Sequence, residues 1–96
     1  MPAYLIAHIT VHDPSVFEQY RAQVSPIITK HGGRYLARGG AIEVVEGHAA
    51  PRLVVVEFPD MAAAQGFYRG PDYAPALALR LSCSTSDIVI AEGVPG

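Results

Sequence analysis

Gly32-Gly33-Arg34-Tyr35-Leu36-Ala37-Arg38-Gly39-Gly40 is the stretch around which the other segments fall into place. A glycine pair after an amphipathic segment predicts a helix stop, since the residue past the last turn often takes a positive φ that glycine alone adopts without strain. Gly32 is that stop. Strand character follows, and the second pair, Gly39-Gly40, predicts a bulge or a close backbone approach, because strand character resumes in Ala41-Ile42-Glu43-Val44-Val45. Arg38 is then aimed by an irregular backbone.

Upstream, Ala3 to Val11 alternates as a first strand, with Leu5, Ala7, Ile9 and Val11 on one side and Tyr4, Ile6, His8 and Thr10 on the other. Asp13-Pro14 predicts a helix start, the carboxylate capping free amides and the proline taking the first helical position. Phe17, Tyr20, Val24, Ile27, Ile28 and His31 follow at helical spacing, with Pro26 expected to bend the helix. Downstream, Gly47-His48-Ala49-Ala50-Pro51 reads as a hairpin connection to a third strand, Leu53 to Phe58. Met61 to Tyr68 is a second helix, broken by Gly70-Pro71. A helical segment restarts with Tyr73, Leu77 and Leu81 on one face. Ser82 to Ser86 reads as a polar loop, and Asp87 to Glu92 as the last strand.

The order β-α-β-β-α-β predicts an α+β, ferredoxin-like fold: a four-stranded antiparallel sheet with its helices on one face. Ninety-six residues, half of them hydrophobic and 17% charged, suit one domain spanning 1–96. A net charge of −2 gives no electrostatic reason to bind nucleic acid. The third strand, Arg52-Leu53-Val54-Val55-Val56-Glu57, also lacks the stacking aromatics of an RNA-recognition platform. No apolar run reaches the roughly 20 residues of a membrane helix, and the N-terminus lacks a basic leader, so no membrane association is expected. The single cysteine, Cys83, excludes an intrachain disulfide and fits a reducing cytoplasm.

Leu53 to Val56 and Ile88 to Ala91 are apolar on both sides, whereas a sheet with one wet face should alternate. With the helices used on one face, the simplest cover for the other is a second copy of the chain, which predicts a homodimer. The chain also resembles the uncharacterised domain-of-unknown-function family 1330 of the dimeric α/β-barrel superfamily. The resemblance covers nearly the whole length. It rests on Ala3-Tyr4-Leu5-Ile6-Ala7, Asp13-Pro14, Gly32 to Gly40, Leu53 to Pro59 and Ile90-Ala91-Glu92-Gly93. It implies two sheets closing into a dimeric barrel and brings no established reaction. Relatives in the wider superfamily include cofactor-independent monooxygenases, isomerases and haem-dependent enzymes. Where such relatives often carry an acidic residue late in the first strand, this chain has Thr10.

His8, Arg38 and Glu57 are polar residues set in apolar strands, and buried charge is tolerated when paired, so the three are expected to meet. The functional reading is a small pocket in which Arg38 holds an anionic ligand while His8 and Glu57 are the catalytic pair, His8 moving a proton and Glu57 orienting either His8 or Arg38. An internal ion pair, or side chains reaching solvent at strand ends, is the structural alternative. Tyr20, Tyr35, Tyr68 and Tyr73 would supply an apolar wall with hydroxyl tips, suited to a small organic ligand, although core packing explains each taken singly. The four histidines are scattered, with no HExxH, CxxC or carboxylate cluster, so no metal is expected. No P-loop, GxSxG or dinucleotide fingerprint occurs, so no cofactor is expected either. Two classes of function stay open: a small-molecule binding dimer, and a cofactor-independent enzyme, monooxygenase- or isomerase-like, acting on a small organic substrate.

Overall fold

A computed structural model describes residues 1–95; Gly96, the last residue of the expected domain, lies outside the described residues. The elements are β1 (Ala3–Val11), α1 (Pro14–Lys30), β2 (Arg34–Arg38), β3 (Arg52–Phe58), α2 (Met61–Arg69), α3 (Ala74–Cys83) and β4 (Ser84–Glu92). The strands form one antiparallel sheet in the order β2-β3-β1-β4, which is the ferredoxin-like arrangement. Fold class is therefore α+β, as expected.

Alternation along β1 divides the sheet into two faces. Ala3, Leu5, Ala7 and Ile9 are buried under the helices, in register with Phe58, Val56, Val54 and Arg52 of β3. Phe17, Val24 and Ile28 of α1, Phe67 of α2 and Tyr73 complete this core, and the rings of Phe67 and Tyr73 lie 4.6 Å apart between centroids. Each large apolar side chain buried in this way stabilises the fold by about 1.5–3 kcal/mol.

The ends of α1 follow from its sequence. The Asp13 carboxylate accepts from the amides of Ser15 and Val16 at 3.1 and 3.3 Å, with Pro14 at the first helical position. At the other end Gly32, at φ +82°, donates to the Thr29 carbonyl, while the Gly33 amide reaches Ile28. The helix runs through Pro26 without interruption.

Several boundaries differ from the expectations, each for a physical reason. The bulge lies at Leu36, not at the second glycine pair: Tyr35 pairs with Val56 and Ala37 with Val55, so three residues of β2 oppose two of β3. Gly39, at φ +72°, instead ends the strand, its amide donating to the Leu53 carbonyl. Ala41 to Val45 is not a strand. These residues belong to an exposed connection from Gly39 to Pro51, where Ile42, Val44 and Val45 (82% exposed) pair with no strand among the described residues. The expected loop over Ser82 to Ser86 is absent, because α3 runs to Cys83 and β4 starts at Ser84. Finally, α3 turns Ala76, Arg80 and Cys83 inward below the buried Tyr73 that precedes it, and leaves Leu81 64% exposed. An arginine replaces the expected leucine inside because hydroxyl groups are waiting for it.

Candidate functional site

Between the helices and the inner face of the sheet lies a cavity of about 50 Å³. Its walls are mostly apolar, with the aliphatic Leu5, Ala7, Val24, Val54, Val56 and Ile88 among them. The bulge at Leu36 decides what else reaches it. In a regular strand Tyr35 and Arg38, three positions apart, would point to opposite faces; the extra residue puts Arg38 opposite Val54 and Tyr35 opposite Val56, both on the helix side. Tyr35 and Arg38 therefore both line the cavity, and the Arg38 guanidinium lies 4.8 Å from the centre of the Tyr35 ring. Tyr20 from α1, Tyr68 from α2 and Tyr73 from the turn before α3 line it too.

The tyrosine tips form a hydrogen-bonded network around one buried cation. Arg80, 2% exposed, donates from Nη2 to the Tyr68 hydroxyl at 3.1 Å, from Nε to Tyr73 at 3.4 Å and from Nη1 to the Ser86 hydroxyl. The Tyr20 and Tyr73 hydroxyls are bonded to each other at 3.0 Å. Because Arg80 offers only donors, the Tyr68 and Tyr73 oxygens accept from it, and their own hydrogens turn elsewhere. No carboxylate pairs with Arg80 among the described residues. Burial, and then the adjoining Tyr73 hydroxyl, push the Tyr20 phenol well above its ordinary pKa, so it stays protonated and can donate.

His8 and Glu57 are placed elsewhere. Both sit on the outer face of the sheet, where His8 is in register with Leu53 and Asp87, and Glu57 with Tyr4 and Arg34. Glu57 accepts from Nε of Arg34 at 2.8 Å. The expectation that His8, Arg38 and Glu57 meet is corrected on two counts. The sheet separates Arg38 from the other two, and His8 stands four residues along β1 from the residue facing Glu57, roughly 13 Å at the rise of a strand. Cys83 is buried, and burial raises its thiol pKa, which suits a packing role.

Three arginines around the cavity carried no expectation: Arg21 and Arg52, which line it, and Arg80 behind its tyrosines. A signal existed for two of them. Arg52 precedes Val54, Val56 and Phe58 at strand period, which assigns it to their face; Arg80 follows Tyr73 and Ala76 at helical spacing.

Comparison with known proteins places this geometry in context. The chain superimposes on a protein of unknown function from Rhodopseudomonas palustris with a TM-score of 0.79 at 16% identity, covering 99% of this chain and 84% of that one. It is similar to SnoaB, a cofactor-independent oxygenase from Streptomyces nogalater, with a TM-score of 0.72 at 17% identity, covering 99% and 95%. A dimeric ferredoxin-like protein of unknown function from Thermobifida fusca gives a TM-score of 0.63 at 17% identity, covering 97% and 92%. At these identities the likeness concerns the fold. No match is found among curated proteins. Residues 2–94 match the domain of unknown function DUF1330. That match takes in every element from β1 to β4, and the chain is a member of the DUF1330 family.

Proposed function

We propose that two copies of the chain associate through the outer faces of their sheets, and that each copy binds a small organic ligand in the cavity between sheet and helices. The observation that carries the second half is convergence: Arg38, Tyr20, Tyr35, Tyr68 and Tyr73 come from four separate segments and border one cavity. Core packing explains a single tyrosine, but not a guanidinium brought to the same space by a strand bulge. The outer face supports the dimer. Ile6, Leu53, Val55 and Val89 form an apolar surface that no helix of the chain covers, and the exposed Ile42, Val44 and Val45 extend the apolar supply. Dimeric ferredoxin-like proteins among the structural neighbours point the same way. Among the described residues no helix is long and apolar enough to cross a membrane.

A cofactor-independent enzyme is the second reading, and the likeness to SnoaB favours it. Since His8 and Glu57 lie across the sheet, proton handling in the cavity would fall to the hydroxyls of Tyr20, Tyr68 and Tyr73 beside Arg80. Native mass spectrometry of freshly purified protein tests the primary reading. The expected spectrum is a dimer carrying a small-molecule mass that Arg38→Ala loses. A bare monomer, or a bound mass that Arg38→Ala leaves unchanged, overturns it.

A further inference from the structure

Three guanidinium groups border the cavity: Arg21 from α1, Arg38 from β2 and Arg52 from the first position of β3. Arg21 has its own carboxylate, Glu18 at 2.5 Å. Arg38 and Arg52 form no ion pair among the described residues; Arg38 lies over Tyr35, and Arg52 over the Phe17 ring at 5.1 Å. The Nε–H of Arg52 is buried and has no hydrogen-bond partner, a condition native structures rarely leave without an occupant to satisfy it. Burial, and then the like charge of Arg21, hold the Arg52 pKa below the ordinary arginine value, so the cation sits there against an electrostatic cost that an anion would remove. Room for it is made by Gly39, where any Cβ would run into the Arg52 guanidinium.

We propose that Arg38 and Arg52 together clamp the carboxylate of a short-chain aliphatic acid whose hydrocarbon tail fills the cavity. The inference rests on reading the cavity as a ligand site and adds the class of ligand. Two planar forks facing one space match the two oxygens of a carboxylate. Beside them Leu5, Ala7, Val54 and Ile88 supply a hydrocarbon stretch of wall, so the occupant is an amphiphile with its charge at the arginines. The cavity is small, about 50 Å³, which suits a short tail better than a long fatty chain.

Titration of the isotope-labelled protein with sodium butyrate, butyramide and sodium octanoate, at matched ionic strength and followed by amide chemical shifts, tests this. Butyrate is expected to shift the amides of Tyr35, Arg38 and Val54 with an affinity at least tenfold above that of butyramide, and Arg52→Gln is expected to abolish the preference. Butyramide binding as tightly as butyrate overturns the carboxylate clamp while leaving the cavity a ligand site; no shift with any of the three overturns both. Octanoate binding tenfold tighter than butyrate overturns the short chain. Arg38→Gln stands in if Arg52→Gln fails to fold, and a folded variant of either that keeps the preference overturns the clamp.

Discussion

On the helix side the sheet presents Leu5, Ala7, Val54 and Val56 to Phe17, Val24, Phe67 and Tyr73; on the other it presents Ile6, Leu53, Val55 and Val89 with no described element over them. The two faces use the same residue types, at alternate positions of the same strands. Val56 is 1% exposed and Val89 56% exposed, although both sit in apolar strand runs. Hydrophobic pattern therefore identifies surface that must be covered and is silent on what covers it. The inner cover is supplied by helices of this chain, and the outer face carries no described element.

Placing one charge on each face separates these two kinds of burial. Val56→Asp puts a carboxylate among Leu5, Tyr35 and Phe58, cut off from water; the cost, about 4 kcal/mol or more, is a large part of the roughly 5–15 kcal/mol that holds a domain folded. Circular dichroism should show no cooperative thermal transition for it. Val55→Asp, one residue away on the outer face, should instead melt cooperatively and elute as a monomer by light scattering coupled to size exclusion. A Val55→Asp dimer would move the interface off this face, and a normally folded Val56→Asp would contradict the core.

A smaller effect is expected where the two faces are set in register. Gly32 turns the chain from α1 into β2 at φ +82°, and a Cβ there would lie 3.1 Å from Cγ of Pro59. Gly32→Val should cost about 1–3 kcal/mol, since β-branched residues resist that conformation. Ala49→Val, in the exposed connection, should stay within about 0.5 kcal/mol of the parent. Equal melting temperatures for the two variants would mean that the turn tolerates a different backbone.

The stop at Gly32, the cap at Asp13 and the strand order were legible because each depends on local chemistry or on period. The site was legible in part. Arg38 and the four tyrosines border the cavity; Arg38 stood out as a polar group in an apolar run and Tyr20 as a ring on a helix face. His8 and Glu57 carried the same signal and lie on the other face, because a one-residue bulge at Leu36 switches Arg38 inward and nothing in β1 or β3 does so for them. A glycine pair three residues downstream had drawn the bulge to itself; Leu36 has no residue type that marks it. Arg80 was missed for a different reason. Its burial depends on Tyr68, Tyr73 and Ser86 arriving from three segments, a condition visible only once they are folded together.

Acid should act on the helix side of the comparison, and more gently than Gly32→Val. Asp72 accepts from Nε2 of His31 at 3.0 Å and from Nζ of Lys30 at 3.1 Å, tying the turn before α3 to the end of α1. The His31 hydrogen bond first, and the Lys30 one next, hold its pKa below 3.8; at the Asp13 cap the Ser15 hydroxyl and the Val16 amide do the same. A carboxyl whose folded pKa lies below its unfolded one stabilises the fold at pH above the unfolded value, and that contribution disappears as pH falls through the folded value. Wild type should therefore melt a few degrees above Asp72→Asn at pH 7, with the gap closing once the pH drops below 3.8. A gap that persists in full at pH 2 would show that the asparagine disturbs packing between α1 and the turn, and that the charge of Asp72 contributes nothing to holding the helix layer over the sheet.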